Sequence, residues 1–185
     1  MKKMILFTML CAANIVISQE KMIDKSGTII FEASVPSFEE VKATNNSVTF
    51  VLNPATGEIA SLALMKGFRF KVALMEEHFN ENYIESDQYP KAVFKGKIEG
   101  FDVNSLTVNP KDFIIKGTLE LHGKTKDIIA VAKISKTSLV YIISSKFIVN
   151  ASDYAISIPT VVKSKLTNKV NVQITAVFKY KDAKQ

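Results

Sequence analysis

Residues 74–96 read LMEEHFNENYIESDQYPKAVFKG, and two periodicities meet inside them. In the first half Met75, Phe79 and Tyr83 stand four apart on one stripe, while Glu76, Glu77, Glu81 and Glu85 fall mostly elsewhere, which is the spacing of one short amphipathic helix. Pro90 cannot continue a helix, and the residue before a proline is biased toward extended backbone, so Ser86 to Pro90 is expected to turn the chain. From Ala92 to Phe101 the period drops to two: Ala92, Phe94, Gly96 and Ile98 face one way, and Lys95, Lys97 and Glu99 the other. The segment predicts one helix, Met75 to Tyr83, set between strands.

Working outward, the same alternation recurs on both sides. Before the helix, Ile29, Phe31, Ala33 and Val35 share a face; Asn45-Asn46 reads as a turn; Val48, Phe50 and Leu52 follow, and Asn53-Pro-Ala-Thr-Gly57 turns again. Ile59 to Met65 is apolar on both sides, the pattern of a strand covered by the helix. Phe68, Phe70, Val72 and Leu74 then alternate with Arg69, Lys71 and Ala73 as a further strand. After the helix come the inward rows Phe113, Ile115, Gly117, Leu119 and Leu121; Ile128, Ala130, Ala132 and Ile134; Tyr141, Ile143, Phe147 and Val149; and Val170 to Tyr180. Roughly eight to ten strands joined by short turns predict an all-β antiparallel fold, a closed barrel or a sandwich.

A barrel of about eight strands has an interior that side chains fill or that holds one small ligand. The inward rows mix Phe, Val and Ile with Gly96, Gly117, Ala130, Ala132 and Ala176. Small residues admit bulky neighbours in a dry core, or they leave a tunnel; alternation reports burial, not emptiness, and leaves both open.

Met1 to Ser18 carries Lys2 and Lys3, an apolar run from Met4 to Ile17 and a small residue at its end, the form of a secretory signal peptide cleaved after residue 18. The expectation is a single domain over 19–185 in a periplasmic or secreted protein. Cys11, the one cysteine, leaves with that leader, so the mature chain has neither thiol nor disulfide, and its net charge falls from +6 to +4. That charge is spread over lysines without a long basic run, which argues against nucleic acid as a partner.

Chemistry has few carriers here. The two histidines are His78 and His122, and no Gly-x-Ser-x-Gly nucleophile turn is present. His78 with Glu77 and Glu81 presents metal-capable groups on one helix turn, or simply a solvated face. His122 before Gly123 reads as a turn imidazole bonding backbone, or as a head-group contact. Arg69, the one arginine, reads as an outward ion pair, or as a bidentate grip on an anionic head. Neither catalysis, a cofactor nor a bound metal is expected.

The segment Met75, His78-Phe-Asn80, Tyr83, Ser86, Tyr89-Pro90, Phe94 and Gly96, with Gly117-Thr-Leu-Glu-Leu-His122-Gly123 and Phe147-x-Val-Asn-x-Ser-Asp153-Tyr154, resembles the YceI-like family of exported bacterial isoprenoid-binding proteins. The family's histidines around the first strand are absent: that segment runs from Asp24 to Ser34 without one. The resemblance implies a lipocalin-like β-barrel with one short α-helix, its interior holding a long-chain isoprenoid, quinone-like or fatty lipid for transport, storage or sequestration. It implies apolar lining by Phe31, Phe50, Phe68, Phe70, Phe79, Tyr83, Phe94, Phe113, Phe147, Tyr154 and Phe178. Arg69, His78 and His122 are the candidate head-group contacts, and the helix Met75 to Tyr83, short and marginal alone, is the candidate gate. Transient contact with a membrane surface and a monomer or homodimer complete the expectation. The rival is a cell-envelope module with a filled core, acting through loops at Pro36–Glu40 and Ser157–Thr167.

Overall fold

Branched and aromatic side chains suit a half-buried pleated surface, and each alternating run becomes a strand. The computed structural model describes residues 21–35, 39–160 and 165–180. The expected leader, residues 1–18, lies outside the described residues, as do 36–38 and 161–164 of the two loops named above. The strands are β1 (Met22–Ser34), β2 (Lys42–Leu52), β3 (Glu58–Leu64), β4 (Arg69–Phe70), β5 (Lys91–Ile98), β6 (Lys111–Leu121), β7 (Lys124–Lys136), β8 (Val140–Asn150) and β9 (Leu166–Lys179). Every pairing is antiparallel. Neighbours run β1-β2-β3-β5-β6-β7-β8-β9, and β9 pairs back onto β1 through Thr28↔Thr175 to Glu32↔Asn171. The result is a closed eight-stranded antiparallel barrel, with β4 a two-residue addition on β2.

Three local expectations are corrected. Asn45-Asn46 is not a turn, because β2 runs through it. The Asn45 side chain supplies the irregularity instead: its Oδ1 accepts from the Ser47 N–H (2.9 Å) and its Nδ2 donates to the Leu64 carbonyl (3.0 Å). The register with β1 shifts there, between Gly27 and Ile29, as at a bulge. The reversal between β1 and β2 comes earlier, closed by the Ala33 N–H on the Val41 carbonyl.

The run Phe68 to Leu74 is likewise not a full strand. Glu76 reaches back to accept from the Phe70 N–H (3.1 Å) and from Arg69 Nη1 (2.9 Å), so pairing stops after Phe70. Helix α1 (Ala73–His78) starts at once and widens into a π-helical turn over Phe79–Tyr83, closed by the Ile84 N–H on the Phe79 carbonyl (2.9 Å). Nor does the helix cover the outer side of β3, whose Leu62 and Leu64 are exposed.

Packing is uneven along the barrel axis. At the end away from the helix, Leu52, Ile98, Phe113, Ile134, Ile143 and Phe178 are buried against one another, with Ala132 and Ala176 admitting them. At the helix end the inward rows separate and leave space.

Candidate functional site: the open half of the barrel

That space is a cavity of about 590 Å³. Its wall comes from the inward rows of all eight barrel strands, for instance Ile29 and Phe31 of β1, Ile59 and Ala63 of β3, Leu119 and Leu121 of β6, Phe147 and Val149 of β8, and Val172 and Ile174 of β9. Its lid is α1 and the π turn, through Met75, Phe79 and Tyr83, the stripe expected from their spacing. Phe79 drops into a nest of rings, 5.3 Å from Phe31, 5.3 Å from Phe70 and 6.0 Å from Phe68 by centroid. Polar groups reach the lining sparsely: Glu39, His78, Lys165 and Thr167 belong to the helix end, Tyr83 to the lid, and Ser61 and Ser145 to the wall. The Ser145 hydroxyl is already spent on the Val131 carbonyl at 2.7 Å.

Of the aromatic side chains expected as lining, Phe31, Phe50, Phe68, Phe70, Phe79, Tyr83, Phe94 and Phe147 border the cavity. Phe113 and Phe178 do not; they belong to the packed floor. Tyr154 also stands apart from the cavity. It is buried with its hydroxyl unpartnered, and burial together with the Asp153 charge pushes its pKa up to about 12.

The polar candidates scatter. Arg69 points outward, donating to Glu76 and to the Lys66 and Phe68 carbonyls. His78 is exposed and borders the cavity; among the described residues no three metal-capable side chains gather, around it or elsewhere.

His122 is buried away from the cavity in the two-residue hairpin that joins β6 to β7, at φ +49° beside Gly123 at +68°. Its Nδ1 donates to the Tyr154 carbonyl (2.9 Å), since a carbonyl only accepts. Its Nε2 pairs with Glu85 Oε2 (2.8 Å), and the Tyr89 ring packs 4.3 Å away. The turn reading of His122 thus describes its surroundings, with one addition: the imidazole ties the segment after the helix to the barrel. Glu85 carried no signal for this in the sequence, being 37 residues from its partner. Val72 and Leu74 were read as strand positions, yet both border the cavity mouth while staying partly exposed.

The YceI-like domain model matches residues 21–178. The chain belongs to the YceI-like family. Solved structures with the same YceI-like fold include a polyisoprenoid-binding domain from Saccharophagus degradans implicated in plant cell wall breakdown (TM-score 0.75, 14% identity, 87% of this chain and 98% of that one). BcnA of Burkholderia cenocepacia is similar at TM-score 0.67 and 11% identity, over 81% and 95% of the two chains. A YceI protein of Campylobacter jejuni matches at 0.56 and 18%, over 98% and 100%. A search of curated protein sequences finds no match. At these identities the neighbours establish the fold, and the YceI-like barrel is shared across them.

Proposed function

We propose that this YceI-like protein is an exported carrier that holds the apolar chain of an isoprenoid, quinone-like or fatty lipid in the open half of its barrel, for transport, storage or sequestration. The observation that carries the reading is the cavity: about 590 Å³, walled almost entirely by aliphatic and aromatic side chains and floored by a packed core. The Saccharophagus neighbour, a polyisoprenoid-binding domain by its name, supports the ligand class.

The physical basis is transfer out of water, about 0.8 kcal/mol for each buried CH₂, so a tail binds without any hydrogen bond along its length. A polar head would stay at the helix end, near His78, Lys165 and Glu39. Catalysis has no part in this reading, and both ring nitrogens of His122 serve the fold.

Native mass spectrometry of the mature chain, followed by organic extraction, tests the proposal. A stoichiometric lipid is the expected result. An apo mass that persists after incubation with prenyl and fatty lipids would sink the carrier reading. Attention would then turn to an envelope module acting through its surface loops, and to the outward apolar patch of Ile114, Ile129 and Val131, with Ile114 and Val131 direct cross-strand partners.

A further inference from the structure

The contact between Glu85 and His122 has a proton requirement. The Tyr154 carbonyl only accepts, so Nδ1 of His122 must carry a hydrogen, donated across 2.9 Å. A neutral imidazole has one N–H, and this bond uses it. Nε2 of the neutral ring would then turn a lone pair toward Glu85 Oε2 at 2.8 Å, where an ionised carboxylate presents another. Two acceptors at that distance repel. The contact is a bond only while one further proton lies between the two atoms, as an imidazolium with a carboxylate or an imidazole with a carboxylic acid.

Burial decides which contact yields when that proton leaves. The His122 side chain is 7% exposed and Tyr154 is buried, whereas the Glu85 side chain is 49% exposed. Breaking the inner bond would orphan a buried carbonyl; breaking the outer one returns a carboxylate to water. Glu85 is also held at φ +47°, a backbone conformation that a residue other than glycine keeps only under constraint. It stands directly behind the π turn, and the next residue, Ser86, donates its N–H to the Asn80 carbonyl of that turn (2.8 Å). Freeing Glu85 therefore loosens the far end of the lid. The other groups about His122 are engaged elsewhere or solvated: Asp153 accepts from Asn150 (3.1 Å), Asp87 pairs with Lys66, the Tyr89 hydroxyl accepts from Gln88 (3.1 Å), and Lys124 is exposed.

We infer that this proton gates the barrel: the lid is fastened while Glu85 and His122 share it, and is released as pH rises. The fastened lid binds the proton more tightly than the free one, so fastening is complete on the acid side and lost on the alkaline side. The lid borders the cavity through Met75, Phe79 and Tyr83, so the change falls on the cavity mouth whatever the cavity holds.

Methyl-labelled methionine tests the gate in residues 19–185 without added lipid. That chain contains Met22, Met65 and Met75, of which Met75 alone is on the lid. Every chain compared carries His78→Gln, because the His78 imidazole stands on the lid three residues from Met75. Between about pH 5 and about pH 9, the Met75 methyl resonance should move with the same midpoint as the His122 ring, while Met22, on β1 at the packed end, stays in place. Glu85→Gln should hold the acid-side position throughout, since an amide accepts from the charged ring and donates to the neutral one. Glu85→Ala, with no bond to lose, should hold the alkaline-side position throughout. A Met75 resonance in the parent chain that does not move over this range overturns the gate, and so does a Glu85→Gln chain that follows the parent curve. Neither result touches the carrier reading, because no lipid is present.

Discussion

Asp24 is buried in β1, where its Oδ1 accepts from both the N–H and the hydroxyl of Ser26 and its Oδ2 from the Val177 N–H at 2.8 Å. The last bond crosses the seam where the first and last strands meet. Asp24→Ala removes the acceptor of all three bonds, and should cost about 1–3 kcal/mol, read as a lower urea midpoint with unchanged slope. Tyr154 behaves oppositely. Its hydroxyl is buried without a partner, so Tyr154→Phe should leave stability at neutral pH unchanged or slightly higher. The raised pKa gives the sign of its pH dependence: the folded chain holds the phenol proton more tightly than the unfolded one, so this contribution is complete below the ordinary tyrosine value of about 10 and is lost as pH climbs through about 12. Urea midpoints measured across that range should fall less steeply in Tyr154→Phe than in the wild type. At Gly117 a Cβ would stand 2.3 Å from the Lys95 carbonyl oxygen, so Gly117→Ala must displace backbone as well as the Phe94 ring, at a cost of about 1–3 kcal/mol. In the sequence Gly96 and Gly117 were compatible with a tunnel as well as with a packed core. Alternation tells which face of the sheet a residue occupies and nothing of what fills the space its side chain leaves.

The lid is the element most exposed to change. α1 has six residues, none fully buried, and is too short to be stable by itself, so it stays in place through Phe79 among three rings and through the Glu85–His122 bond at its far end. Both residues of that bond hold positive φ, +47° at Glu85 and +49° at His122, a backbone cost the surrounding contacts must offset. Glu85→Ala should free the turn while leaving the barrel intact: hydrogen exchange at the amides of α1 and the π turn should quicken by tenfold or more, with barrel amides unmoved. If protection falls uniformly, the bond is not a local latch. Phe79→Ala removes a half-buried ring and should cost about 2 kcal/mol, less than the 3–5 of a fully buried phenylalanine, and should speed release of bound lipid. The Met75, Phe79 and Tyr83 stripe was legible because a period near four is a local property. The tie to His122 was not, because nothing in either segment's own pattern points to the other.

For the molecule as a whole, the barrel could be read from the succession of alternating strands and short connections, yet the division between packed floor and open cavity could not. Phe31 and Phe113 have the same neighbours in kind and the same parity; they differ in height along the barrel axis, which depends on strand tilt and register summed around the ring. A preformed apolar cavity has a thermodynamic mark. Titrations of a bound lipid at several temperatures should give a clearly negative heat-capacity change, and a value near zero would place the lipid on the surface instead. Closure of the ring also sets the order of events in folding. β1 needs β9, and Thr28 meets Thr175 only once every other barrel strand has been made, so pairing across this seam is among the least local contacts in the barrel. A ribosome-bound chain ending before Leu166 carries two open flanks, β1 and β8, each a row of unpaired amides. A nascent or truncated form is therefore sticky in a way the finished barrel is not, and the last fourteen-residue strand converts a template for aggregation into a surface without edges.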